Sequence, residues 1–267
     1  MNRTRALLLA TAVPLLIVLG VLATAFLAGD DEGQRSTTGP GGRPALVAGT
    51  AQIVVGTGAR SATIFRPPHP RATVVFLHGW GAVEPAYYLP WIAHLVRGGV
   101  TVVYPAYQEA PFLDTVTPLP NLLVALRLAF ERVPVAPGRL VVAGHSAGGA
   151  LAADYAASAR AAGLPAPAAV FSVYPGRSLR GIPLVIPAVS ARHIAAGTRM
   201  LVLAGANDDV VGTRVARAIA RTASRARVAF RIVRDPRADD HRAPQRSSPA
   251  SRRAFWAPLD RLIAAIR

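Results

Sequence analysis

The stretch 139–149, Arg-Leu-Val-Val-Ala-Gly-His-Ser-Ala-Gly-Gly, limits the fold more tightly than any other part of the chain. Leu140, Val141 and Val142 form a short apolar, β-branched run of the kind buried on both faces of a sheet, and the small residues from Ala147 onward begin a helical pattern. Between them Gly144-His145-Ser146-Ala147-Gly148 matches G-x-S-x-G. A strand that turns abruptly into a helix crowds its neighbours, so residues without a Cβ are needed on both sides of the serine. The serine is forced into a strained conformation, its Oγ is pushed outward, and the helix N-terminus offers free N–H groups beside it.

A strand followed by a helix is the context such a turn requires, and the pattern repeats along the chain. Runs at 52–55 and 62–65 flank Gly56-Thr57-Gly58 and predict an antiparallel hairpin. Strands are predicted at 73–77, 100–104, 140–142, 168–173, 200–204 and 228–233. Helices are predicted at 87–97, 119–131, 151–162, 210–224 and 252–266, and the proline-containing stretch 177–197 reads as an irregular cap. The expected fold class is therefore α/β, a mainly parallel sheet with helices on both faces.

The N-terminus adds a further expectation. Residues 6–28 carry no charge, follow Arg3 and Arg5, and precede Asp30, Asp31 and Glu32. This length and charge asymmetry predict an N-terminal transmembrane helix with the rest of the chain extracytoplasmic. Ala23-Thr24-Ala25 offers the alternative of a cleaved signal and a secreted protein. The domain expectation is a membrane segment at 1–28, a flexible Gly/Ser/Thr/Pro linker at 29–45 and a catalytic domain at 46–267.

Composition removes several function classes. With no cysteine there is no disulfide, thiolate metal site or cysteine nucleophile. The net charge is +16 and all 30 basic residues are arginine, but they read as scattered along the sequence, without aromatic interleaving. No specific nucleic-acid partner is expected from them. Neither H-E-x-x-H nor a Walker loop is present, so no metal or cofactor site is read.

Sites in parallel sheets form at the carboxyl ends of strands. Ser146 lies at one such end, Asp208 and Asp209 follow the strand at 200–204, and Asp239-Asp240-His241 follow the last strand. A serine nucleophile needs a base, and the base needs an acid to hold its tautomer. Among six histidines, His69 lies in a proline-rich turn, His94 within a helix and His193 in the irregular stretch, while His78 and His145 belong to turn motifs. His241 is left as the base, with Asp208 ahead of Asp209 as the acid. Trp80, Tyr107 and Tyr174, near strand exits, are candidate substrate contacts.

With these residues assembled, the chain from about residue 73 to its end resembles the α/β-hydrolases, in particular the esterase, lipase and dienelactone-hydrolase-like branch. His78-Gly79 resembles that family's oxyanion loop, Gly144 to Gly148 its nucleophile elbow, Gly205-x-x-Asp208 its acid loop and His241 its base. Trp80 departs from the HGGG form of the loop. The resemblance implies that the backbone N–H groups of Trp80 and Ala147 form the oxyanion hole, and that the reaction is cofactor-free cleavage of a small-molecule or lipid carboxylic ester. An acyltransferase acting on envelope alcohols uses the same triad, and a catalytically silent binding domain shares the same fold.

Overall fold

The computed structural model describes residues 48–178 and 185–266, all within one compact unit, Pro44–Arg267. Eight strands form a single sheet: β1 Ala51–Val55, β2 Ala62–Arg66, β3 Ala72–Leu77, β4 Val100–Pro105, β5 Leu140–His145, β6 Ala169–Val173, β7 Arg199–Gly205 and β8 Arg227–Val233. Their order across the sheet is β1-β2-β4-β3-β5-β6-β7-β8. The hairpin β1–β2 and the pair β2–β4 are antiparallel, and every pairing from β4 to β8 is parallel. The sheet is thus mixed and mainly parallel.

The alternation of side chains along each strand divides the core into two layers. Val75 and Leu77 of β3, Leu140 and Val142 of β5, and Met200, Val202 and Ala204 of β7 face one side. There they meet α2 (Pro118–Arg132), α3 (Ala147–Ser158) and α4 (Arg214–Thr222). Val74 and Phe76, Val141 and Ala143, and Leu201 and Leu203 face the other side. That layer is closed by α1 (Leu89–Arg97) and α5 (Ala257–Ala265). Burial on both faces is why these central strands read as continuous apolar runs. β8 is an edge strand and remains half-exposed.

Two helices begin later than the sequence pattern indicates. Pro85–Tyr88 is a 3-10 turn leading into α1, whose second residue, Pro90, has no N–H to donate. The predicted helix at 210–224 starts only at Arg214, because Asp208 Oδ1 takes the N–H groups of Val210 and Val211 at 3.1 and 3.0 Å and Gly212 adopts φ +62°. The C-terminal helix is entered through a short turn, Pro249–Ser251, and a π-helical turn, Arg252–Trp256. The extra residue in that turn is consistent with the adjacent Phe255 and Trp256 both being buried. In the irregular stretch, Ile186, Ala191 and Ile194 pack into the same core layer as α3, and Asp154 of α3 binds Arg177 bidentately at 2.7 Å.

The expectation of an N-terminal transmembrane helix is corrected. Among the described residues no helix is long and apolar enough to cross a membrane. The longest uninterrupted α-helix described, α2, has 15 residues. At 1.5 Å per residue it reaches about 22 Å, short of a hydrocarbon core of about 30 Å. Segment 6–28 and linker 29–45, on which the expectation rested, lie outside the described residues. Among the described residues the fold class is α/β with no membrane-spanning helix, so neither a membrane partner nor an anchored extracytoplasmic placement is supported.

Candidate active site

The site is built at the C-terminal ends of β3, β4, β5, β7 and β8, where the parallel strands release their loops. At the end of β5 the chain passes from extended backbone to helix within one residue. Ser146 takes φ 57° and ψ −122°, a region that a side-chain-bearing residue occupies only under strain. The flanking glycines are required sterically. A Cβ on Gly144 would strike the carbonyl of Gly148, and one on Gly148 would strike the carbonyls of Leu77 and His78. The elbow therefore packs directly against the backbone leaving β3.

The residues expected after β7 and β8 meet the serine. His241 Nε2 lies 3.0 Å from Ser146 Oγ, and His241 Nδ1 lies 2.8 Å from Asp208 Oδ2. Asp208 is buried, and its other oxygen is held by the two N–H groups of its own loop. Asp209 is exposed. With Nδ1–H donated to a carboxylate, Nε2 of the imidazole is the nitrogen able to accept a proton from Ser146. Asp239 accepts from Asn207 Nδ2 at 2.7 Å, linking the acid and base loops, and Asp240 binds the Arg242 N–H and the Arg246 guanidinium. His69, His94 and His193 make no contact with Ser146; His94 instead binds Asp260 at 2.8 Å.

The loop from His78 to Ala82 is tied down nearly residue by residue. Tyr107 donates to the carbonyl of His78 and stacks on its ring at 4.1 Å, the planes 8° apart. The His78 ring nitrogens lie 2.6 Å from the carbonyls of Gly79 and Ala106. Burial lowers the His78 pKa to about 4 against the pull of those carbonyls, so the ring is neutral and donates to one of them. The Gly79 N–H donates to the Tyr88 hydroxyl at 3.1 Å, the Gly81 N–H to Gln108 Oε1 at 3.0 Å, and the Trp80 indole to the Phe112 carbonyl at 3.1 Å. The Ser146 N–H is taken by the Val173 carbonyl and the Gly148 N–H by that of His78. Among the described residues the backbone N–H groups of Trp80 and Ala147 donate to no acceptor. Ala147 follows Ser146 directly and Gly79, beside Trp80, packs against the Ser146 side chain, and two free donors in such a neighbourhood can receive an oxyanion.

The three aromatic residues named as substrate contacts are placed differently from one another. Trp80 is half-buried, whereas Tyr107 and Tyr174 are fully buried. The Tyr174 hydroxyl donates to the Ala238 carbonyl at 2.6 Å, and that of Tyr107 holds His78. Both therefore support the loops from behind. Sequence reasoning missed Tyr88 and Gln108, which fix the loop around Trp80, because neither belongs to a motif and each reaches its partner, nine and 27 residues away, only once the loop is folded.

A sequence model of the alpha/beta hydrolase fold matches residues 74–207, half of the chain. No curated protein sequence matches it. Among solved structures, carboxyl esterase 2 from the mycorrhizal fungus Tuber melanosporum superposes with a TM-score of 0.68 at 15% identity, over 93% of this chain and 98% of that one. Fungal esterases from Rhizomucor miehei give 0.62 at 19% identity over 80% and 82%. A thermostable esterase from Pseudomonas putida gives 0.60 at 20% identity over 82% and 83%. The chain belongs to the α/β-hydrolase superfamily, and its fold is the one shared by these esterases.

Proposed function

We propose that the protein is a serine hydrolase that cleaves carboxylic esters through an acyl-enzyme on Ser146. The observation that carries this reading is the strained elbow serine, hydrogen-bonded to an imidazole whose other nitrogen meets a buried carboxylate. Ser146 Oγ adds to the ester carbonyl carbon while its proton passes to His241 Nε2. Negative charge moves onto the carbonyl oxygen, where the N–H groups of Trp80 and Ala147 receive it. Each such donor contributes about 3 kcal/mol, because it meets the charge only as it develops. The C–O bond then breaks, the departing alkoxide takes the proton from His241, and the acyl group stays on Ser146. Water repeats the sequence with His241 as base, releasing the carboxylic acid and the free serine. Asp208 keeps Nε2 of His241 in the accepting state and stabilises the imidazolium formed twice per turnover.

The family match and the esterases among the similar folds support this reaction class over other uses of the fold. The test is turnover of p-nitrophenyl esters of graded acyl length, followed from the first milliseconds. A burst of p-nitrophenol equal to the enzyme concentration is expected, with Ser146→Ala losing the burst and at least about 10³-fold in kcat. No turnover of any ester by folded wild-type protein, or full activity in Ser146→Ala, would overturn the proposal. Adding an alcohol to the same assay and identifying the products separates hydrolysis from acyl transfer.

A further inference from the structure

We propose that His145 and Tyr88 act as a positioning clasp that ties the loop carrying the base to the oxyanion loop, setting the distance between His241 and Ser146. The inference rests on the hydrolase reading above. His145 is the last residue of β5 and the immediate neighbour of Ser146, so it cannot shift without moving the nucleophile. Its buried ring lies 4.9 Å, centroid to centroid, from the ring of His241.

An inventory of protons gives the clasp a single polarity. The Tyr88 hydroxyl accepts the Gly79 N–H at 3.1 Å and is also hydrogen-bonded to the side chain of Gln245. A phenol has one proton to give, and because the far nitrogen of the His145 ring faces a carbonyl, which can only accept, that proton goes to His145 Nδ1, 2.8 Å away. The neutral ring must then carry its own proton on Nε2, which lies 2.9 Å from the main-chain carbonyl of His241, an atom that can only accept. Burial and the adjacent His241 hold His145 well below the usual histidine range, which keeps the ring in this neutral form. One direction of donation thus runs from Gly79 through Tyr88 and His145 to His241.

A core histidine satisfied by an arbitrary carbonyl would carry no such meaning. Here the carbonyl belongs to the proposed base, and Gln245, from the same loop, reaches the same tyrosine. The clasp therefore fixes that loop at two points against the loop that presents the Trp80 N–H. Neither His145 nor Tyr88 touches the reacting atoms. Their effect passes through the Nε2 position of His241, and a displacement of about 1 Å in such a group costs about 10²-fold in rate.

The experiment compares two amides at position 145. The amide of His145→Gln reaches the place of the imidazole Nε2 and can donate to the His241 carbonyl, whereas that of His145→Asn stops near Nδ1. The expected result is a 30- to 100-fold fall in kcat for His145→Asn, about the scale of such a displacement, with KM unchanged. His145→Gln should recover kcat to within about threefold of the wild type, and Tyr88→Phe should fall between the two. Equal kcat for the Asn and Gln variants would overturn the clasp while leaving the hydrolase reading intact; absence of ester turnover in the wild type would remove that reading and this inference together. If the Asn variant does not fold, the nitrogen-15 spectrum of the wild-type histidines decides independently of activity. His145 must show the Nε2–H tautomer, and an Nδ1–H tautomer would overturn the proposal.

Discussion

Asp208 and Asp209 stand side by side after β7, yet only the first is drawn under His241 and shielded from water. The difference comes from the tight turn at 208–212, which uses one Asp208 oxygen to bind its own loop and aims the other at the imidazole. Asp208→Asn keeps that shape but offers an N–H where an acceptor is needed, holding His241 in the wrong tautomer. It should lower kcat by about 10³- to 10⁴-fold, while Asp209→Asn should leave ester turnover within about threefold of the wild type, as expected of an exposed side chain outside the site. The reverse ranking in steady-state kinetics would move the acid by one residue. Ser146 could be read from the chain because its signal is local: two glycines at fixed spacing, needed by a turn whose sterics involve only near neighbours. Tyr88 could not be read, since its partner His145 lies 57 residues away and only the packed sheet brings them together.

At the scale of elements, the central strands were legible because burial on both faces leaves few polar residues in them, and the helices between them followed from period. Boundaries failed where a side chain competes with the helix for backbone N–H groups, as Asp208 does ahead of α4. Reading the arginines as scattered also failed. Arg214, Arg217 and Arg221 stand exposed on α4, followed by exposed Arg225, Arg227 and Arg231 around the edge strand β8, with no acidic residue between 210 and 234. A helical period and a two-residue strand period bring together charges that are spread along the sequence. Charged side chains on β8 also discourage another strand from pairing with the open edge of the sheet.

At the scale of the whole molecule, two buried histidines link the site to stability. His78 is lowered to about 4 and His145 well below 6.5, both chiefly by burial, so each is neutral when folded and protonates readily when unfolded. The stability they contribute is complete above the unfolded value near 6.5 and is lost as pH falls toward the folded values. Between pH 7.5 and pH 5 His78 should cost about 2 kcal/mol, a large part of the 5–15 kcal/mol typical of a domain, and His145 acts in the same direction. Asp154 has the opposite sign, because burial raises its carboxyl despite Arg177, and it favours the fold at low pH. Urea unfolding should show the midpoint dropping steadily from pH 7.5 to pH 5, and a flat profile would mean that these rings are not held neutral. Labelling of the folded protein with a fluorophosphonate, read by intact mass and peptide mapping, tests whether Ser146 is a nucleophile activated by His241. One adduct per chain on Ser146 is expected, none in Ser146→Ala, and a rate at least about 10³-fold lower in His241→Ala. Folded wild-type protein that takes no label, or takes it at another residue, would show that Ser146 is not the activated nucleophile.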